Sequence, residues 1–294
     1  MDYKQLGSSD LQISRIGFGC MSLQPAQPDL QQLIDSAIAS GINYFDTADL
    51  YDKGLNETLL GNAIKTHRNK IIIASKGGNE WKADGSGWSW NPRKAYLLKA
   101  VEGSLQRLQT DRIDLYQLHG GTIEDPIDEI IEAFELMIQQ GKIRYYGISS
   151  IRPNVIRKFV NRSAIISVMV QYSLLDRRPE ESILPLLEEY KIGVLARGTV
   201  AGGLLIDKPP KTYLSYSEEE VSLMAMEIKK QNFPQASTAV GYALQNPAVT
   251  AAIVGIRTAT HLQSAVSAVQ FPLPLVVKKP LQDALSPKYY TDHR

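Results

Sequence analysis

A carboxylate, a phenol, an ammonium and an imidazole occur in turn at Asp46, Tyr51, Lys76 and His119. Three of them close β-rich runs, INYFD, IIIASK and IDLYQLH. Together they can protonate an oxygen that is becoming an alkoxide. A tyrosine has an ordinary pKa near 10 and serves poorly as an acid at neutral pH unless a nearby cation stabilises its phenolate. Lys76 can supply that cation, and Asp46, paired with it, would hold it in place and charged. His119 can donate a hydrogen bond to a carbonyl oxygen beside the Tyr51 hydroxyl, as general acid catalysis requires. Singly, each residue has a plainer role: a helix-capping Asp, a solvated Lys, a structural His. Their occurrence on successive strand ends favours a shared site. The set lacks an electron pair.

Other chemistries are poorly served. His67, His119, His261 and His293 are scattered, with no HxH or HExxH spacing, so no metal is expected. No GxSxG is present, and no GxGxxG follows a strand. A carbonyl protonated without metal or nucleophile points to hydride from a nicotinamide. A barrel hydrolase or lyase using Asp46 and His119 is the rival, and it requires turnover without a dinucleotide.

The elements that must position these residues alternate. Eight β-rich runs (RIGFG, INYFD, IIIASK, IDLYQLH, IRYYGIS, ISVMVQ, IGVLAR and TAAIVG) are separated by segments of helical period. In DLQQLIDSAIASG, Leu30, Leu33, Ile34, Ala37 and Ile38 share one face, and Gly41 ends the helix. NPRKAYLLKAVEGSLQRL predicts an N-cap at Asn91 with Pro92 at the first helical position, and DPIDEIIEAFELMIQQG repeats the device. Ser217 and Glu220 have capping-box spacing. Eight βα units in about 250 residues fit a closed (β/α)8 barrel better than an open doubly wound sheet. An N-terminal hairpin around LGSSD and a Pro-rich C-terminal tail, FPLPLVVKKPLQDALSPKYYTDHR, stand outside it. No linker divides residues 1–294, so one domain is expected. Active sites of this fold sit at the C-terminal mouth, where residues following the strands gather.

Composition excludes some partners. With 32 basic and 31 acidic side chains the net charge is +1, so no overall field recruits nucleic acid or anionic lipid. The single cysteine, Cys20, reads as a small buried residue. No run has the roughly 20 apolar residues of a membrane helix and none opens the chain as a signal peptide, so a cytoplasmic protein is expected.

Over nearly its whole length the chain resembles the aldo-keto reductases. YKQLGSSDLQISRIGFGCM is similar to that family's hairpin and first strand, and GINYFDTADLYDKGLNETLLGNAI to its most recognisable motif. IIIASKGG, DRIDLYQLHG, GKIRYYGISS and VMVQYSLLDR follow in the family's order. The resemblance implies a catalytic tetrad of Asp46, Tyr51, Lys76 and His119, with Tyr51 as proton donor and NADPH as the usual hydride source. It implies that Ser149 and Gln171 meet the nicotinamide carboxamide, although Ser150 stands where the family commonly has Asn. Arg197 falls where an aromatic often stacks on the nicotinamide; it is either a stacking guanidinium or a surface salt-bridge partner. Gly198, Ala201, Gly202 and Gly203 form a loop of little bulk, suited to close approach to a pyrophosphate. In IVGIRTATHLQSAV, Arg257 corresponds to the residue that meets the ribose 2′-phosphate, with Thr258 beside it at a helix start. His261 replaces the usual Gln, and Ser264 and Ala265 replace Glu-Asn, so fewer adenine contacts are expected.

Trp81, Trp88 and Trp90 lie in a Gly-rich insertion after Lys76. They are read either as a lid or apolar wall for substrate, or as one loop anchor with two packing residues. The reading is NADPH-dependent reduction of a small aldehyde or ketone. The alternative is a dinucleotide-binding redox sensor or regulator, which would have no need of the acid. Sequence leaves the particular carbonyl compound and the oligomeric state open.

Overall fold

The protein, described over residues 1–294 by a computed structural model, begins with an antiparallel hairpin, β1 (Tyr3–Gln5) and β2 (Gln12–Ser14). There follow β3 (Ile16–Gly19), α1 (Leu30–Ala39), β4 (Tyr44–Asp46), α2 (Leu55–Ile64) and β5 (Ile72–Gly77). A second hairpin, β6 (Asn79–Trp81) and β7 (Trp88–Trp90), precedes α3 (Lys94–Leu108), β8 (Ile113–Leu118), α4 (Ile127–Gln139), β9 (Ile143–Ser149) and α5 (Pro153–Arg162). The chain continues through β10 (Ser167–Gln171), α6 (Ile183–Glu189), β11 (Gly193–Arg197), α7 (Glu218–Lys229), α8 (Gln235–Leu244), β12 (Val249–Gly255), α9 (Ala259–Gln270) and α10 (Leu275–Asp283). Strands β3, β4, β5, β8, β9, β10, β11 and β12 pair in parallel, each with the next, and β12 returns to β3 to close the barrel.

Two apolar layers hold it. The larger lies between strands and helices, where Ile34, Leu97, Phe134, Ile156, Leu187 and Val240 meet the outward residues of the strands. The smaller fills the barrel's lower interior with Tyr44, Ala74, Leu115, Met169, Leu195 and Ala251, and the hairpin's Leu6, Leu11 and Ile13 stop that end. Gly7 makes the plug possible: its φ is +57°, and a Cβ there would stand 2.1 Å from the Ile166 carbonyl oxygen. The opposite, C-terminal end is left for chemistry.

Local starts differ from the sequence expectation in three places. Helix α3 begins at Lys94, with Arg93 and not Asn91 at the cap. Asn91 donates through Nδ2 to Glu80 Oε2 at 2.7 Å, and its Oδ1 accepts the Arg93 N–H at 3.2 Å, just ahead of the helix, while Glu129 of α4 accepts the Lys94 N–H at 2.8 Å and caps α3 from outside. Pro126 takes the cap position of α4, because Asp125 instead accepts from Thr122 N and Trp90 Nε1, at 2.6 and 2.9 Å. The Pro-rich tail contains α10, with Pro280 inside it; Val277 and Leu281 bury against the barrel while Leu275 and Val276 stay exposed. The capping box at Ser217 is present, with both reciprocal bonds made.

Candidate active site

Asp46 ends β4, Lys76 lies one residue before the end of β5, and His119 follows β8, so adjacent staves bring the three to one mouth. Tyr51 arrives from the loop after β4. That loop turns sharply beyond it, with Asp52, Lys53 and Gly54 all left-handed at φ 47°, 55° and 86°. Two consecutive non-glycine residues in that region carry strain that the surroundings must hold. Part of the hold is a buried chain of hydrogen bonds: Asn56 donates to the Cys20 carbonyl at 2.7 Å and accepts from the Thr47 hydroxyl at 2.7 Å.

Lys76 is fully buried. Its Nζ donates to Asp46 Oδ1 at 2.5 Å, to the Thr47 carbonyl at 2.7 Å and to the Tyr51 hydroxyl at 3.4 Å. The three acceptors match the three protons of an ammonium. Burial opposes its charge, but the Asp46 carboxylate and Tyr51 outweigh burial and leave its pKa above the ordinary lysine value. Burial also raises the Asp46 carboxyl, with Lys76 pulling it partly back. Gln117, two residues before His119 on the same inward face of β8, reaches Asp46 Oδ2 at 3.5 Å.

His119 meets Tyr51 edge to face, with ring centroids 5.8 Å apart. Burial, and then the Lys76 and Arg197 cations, lower its pKa to about 3. The ring is therefore neutral at physiological pH, so it offers one N–H donor and one bare nitrogen. Because its folded pKa is depressed, His119 contributes stability that is present above about pH 6.5 and is lost as pH falls toward 3.

These groups open into a cleft of about 580 Å³. Its walls include Tyr51, His119, Trp88, Trp90, Ser149 and Arg197. Trp90 is anchored by its bond to Asp125 and covers Gly78, whose Cβ would meet its ring at 2.8 Å. Trp88 is half exposed at the rim. Trp81, paired with Trp88 across the hairpin, lines the neighbouring groove instead, where Lys53 Nζ lies 5.2 Å from its ring centroid. The Gly-rich insertion is thus a β-hairpin.

Arg197 has no carboxylate partner. Its Nη1 donates to Gln171 Oε1 at 2.6 Å, and Gln171 Nε2 donates to the Tyr213 hydroxyl at 3.1 Å, so both ends of the Gln171 amide are held by protein. Ser149 is the final residue of β9 and lines the cleft.

A second cleft, of about 450 Å³, lies over β11 and β12. Gly202 and Gly203, at φ 65° and 98°, form one side; a Cβ on Gly202 would meet nothing within 4 Å. Gly198 borders the Gln171 side chain, whereas Ala201 turns its methyl into the core. Arg257 and His261 form the other side, and no side chain pairs with the Arg257 guanidinium. Thr258 caps α9, accepting the His261 N–H at 3.2 Å. Lys208 also lines this cleft, its stem lying against Gly203. Two cations, a helix start and a glycine pair form a donor set suited to a phosphorylated nucleoside, with the Asp207 carboxylate also on the wall.

Gln117, Thr47, Asn56 and Arg152 also belong to the site or border it, and no motif singles them out. Alternation along β8 marks Gln117 as facing inward with Leu115 and His119. The Thr47 contribution is a backbone carbonyl, which no side-chain pattern signals.

Fold and site together define a closed (β/α)8 barrel with a carboxylate, a phenol, an ammonium and an imidazole gathered at its C-terminal mouth. The model described as "Aldo/keto reductase family" matches residues 15–279, and the chain belongs to that family of oxidoreductases. It is 52% identical over 279 residues to the "uncharacterized oxidoreductase YqkF" of Bacillus subtilis strain 168, covering 91% of each. Among solved structures it is similar to aldo-keto reductase AKR11C1 from Bacillus halodurans in its holo form, with a TM-score of 0.96 and 47% identity, covering 100% of this chain and 99% of that one. The apo form of that protein gives 0.87 at 45% identity over the same shares. The glycerol dehydrogenase AKR11B4 from Gluconobacter oxydans gives 0.85 at 26% identity, covering 97% of this chain and 95% of that one. Members of the family act on small carbonyl compounds with nicotinamide dinucleotides. No helix here is long and apolar enough to cross a membrane.

Proposed function

We propose that residues 1–294 act as one catalytic unit that reduces an aldehyde or ketone to an alcohol with NADPH, Tyr51 being the proton donor. The observation that carries this is a buried ammonium held between a carboxylate and a phenol, 2.5 Å from one and 3.4 Å from the other, with the phenol lining a cleft. The dinucleotide, when bound, supplies the hydride that the chain itself lacks. Tyr51 gives its proton to the carbonyl oxygen as negative charge gathers there. Lys76, locked by Asp46 and Thr47, stabilises the phenolate left behind. Neutral His119 donates a hydrogen bond to the same oxygen and fixes its orientation.

For the dinucleotide, Arg257 would meet the 2′-phosphate and favour NADPH over NADH. Thr258 and His261 would border the adenosine end, and Gly198, Ala201, Gly202 and Gly203 would present backbone to the pyrophosphate. Ser149, Gln171 and Arg197 would surround the nicotinamide. The Arg197 cation should disfavour the oxidised, positively charged ring. Trp88 and Trp90 would face the substrate.

Titrating the protein with NADPH and NADH by fluorescence, then adding a panel of aldehydes, tests the reading. The expected result is saturable binding followed by NADPH consumption matched by alcohol. Tight binding without consumption would favour a redox sensor, and turnover without any dinucleotide would point to a hydrolase or lyase.

A further inference from the structure

The substrate cleft carries an unused cation. Arg152, the residue at the N-cap of α5, lines it together with Ser150 and Thr122. Its guanidinium makes one bond, Nη1 to the Gly121 carbonyl at 2.6 Å, and forms no salt bridge with any carboxylate. No Asp or Glu lines this cleft at all. A half-buried guanidinium with one neutral acceptor leaves most of its five donors free. Next to it, the Ser150 hydroxyl accepts from Arg152 N at 3.2 Å, and no protein group accepts its own proton.

Arg197 lines the cleft as well, but its Nη1 is held by Gln171 Oε1, and apolar groups form another part of the wall. Met21, Trp88 and Ile151 are exposed there, and Leu50 and Trp90 continue the surface inward toward Tyr51. One cleft thus holds the acid, an apolar stretch and a forked cation with a hydroxyl beside it. A carboxylate suits that last pair, since a guanidinium and a hydroxyl supply a small set of directed donors to two oxygens.

We propose that Arg152 is a specificity-determining residue, and that the preferred substrates are aldehydes or ketones whose far end bears a carboxylate beyond an aromatic or short aliphatic segment. This rests on the carbonyl-reduction reading above. A neutral carbonyl compound leaves Arg152 without a counter-charge in a site that excludes part of the water; an anionic one supplies it.

The test compares 4-formylbenzoate with its methyl ester, which keeps shape and removes charge. The wild-type holoenzyme, Arg152→Met and Arg152→Lys are each assayed with NADPH. In the wild type kcat/KM should favour the acid by about tenfold or more, as expected for one charge-assisted contact. In Arg152→Met the acid-to-ester ratio should fall to about one or below, and Arg152→Lys should recover part of it. Because the ratio is taken on a single preparation, partial misfolding does not alter it. A wild type that reduces the ester at least as well as the acid, or a ratio unchanged in Arg152→Met, overturns the role of Arg152 while leaving carbonyl reduction standing. Failure to reduce any carbonyl compound with NADPH bound would overturn the underlying activity instead.

Discussion

Replacing Asp46 with Asn should damage the fold as well as the chemistry, by an amount the geometry sets. In the native protein Asp46 supplies the only charge opposite a lysine that has no exposure to water. The neutral amide of Asp46→Asn would leave Nζ with no counter-charge, facing a carbonyl at 2.7 Å and a hydroxyl at 3.4 Å. Breaking a buried pair from one side costs about 3–5 kcal/mol. The lysine can escape by releasing its proton, which bounds the cost. From an ordinary value of 10.5, deprotonation takes about 5 kcal/mol at pH 7 and about 2 kcal/mol at pH 9, at 1.36 kcal/mol per pH unit. Without its carboxylate the buried lysine has a folded pKa below the unfolded one, so the penalty shrinks as pH rises. Urea denaturation of Asp46→Asn should therefore show a loss of about 3–5 kcal/mol at pH 7 and a clearly smaller loss at pH 9. The double variant Asp46→Asn/Lys76→Met should regain most of that stability, because no unpaired charge remains. Turnover should be down by about two orders of magnitude or more in both. A loss under about 1 kcal/mol, or one independent of pH, would refute the view of this pair as a buried, mutually dependent unit.

Two further outcomes follow from the same physics. Asp49 is buried, and burial first and Glu57 second raise its carboxyl to about 7, with Oδ1 lacking any partner. A raised carboxyl favours the protonated fold, so this contribution is full below about pH 4 and is lost as pH climbs through 7. Asp49→Asn should accordingly be more stable than wild type at pH 8, by on the order of 1–3 kcal/mol. The advantage should vanish near pH 4, as read by urea melts at the two pH values. Arg257→Ala should raise the Kd for NADPH by about thirtyfold or more, the loss of a charge-assisted phosphate contact, and the Kd for NADH by less than about threefold; equal effects would place Arg257 away from the 2′-phosphate.

The barrel was legible because each stave states itself twice, as a β-rich run and as the helical stripe that covers it. Ile73, Leu115 and Val194 on strands and Ile34, Leu97 and Ile130 on helices all bury as their periodicity implies. The N-terminal hairpin was legible from LGSSD between short alternating runs, but that it stops the lower end of the barrel was not. What escaped were features decided by a second element. Asn91 has the right chemistry for a cap, but its Oδ1 takes the Arg93 N–H ahead of the helix, and only the fold brings Glu129 to the start of α3. The tail hid α10 because a proline within it argues against helix locally, while Val277 and Leu281 find the barrel only after folding. In the site, strand-end spacing brought out Asp46, Lys76 and His119. Arg152 gave no sign, because an arginine in a loop is ordinary until its cleft proves to contain no acid.

If the phenol of Tyr51 finishes the reduction, aided by Lys76, its loss should stop the chemistry and spare cofactor binding. Single-turnover oxidation of bound NADPH by an aldehyde, followed in wild type and in Tyr51→Phe after matched fluorescence titrations of the cofactor, tests it most directly. NADPH affinity should stay within about twofold of wild type while the rate falls by at least about 10²-fold, the scale of a lost general acid. A Tyr51→Phe enzyme that binds NADPH and oxidises it at nearly the wild-type rate would contradict it.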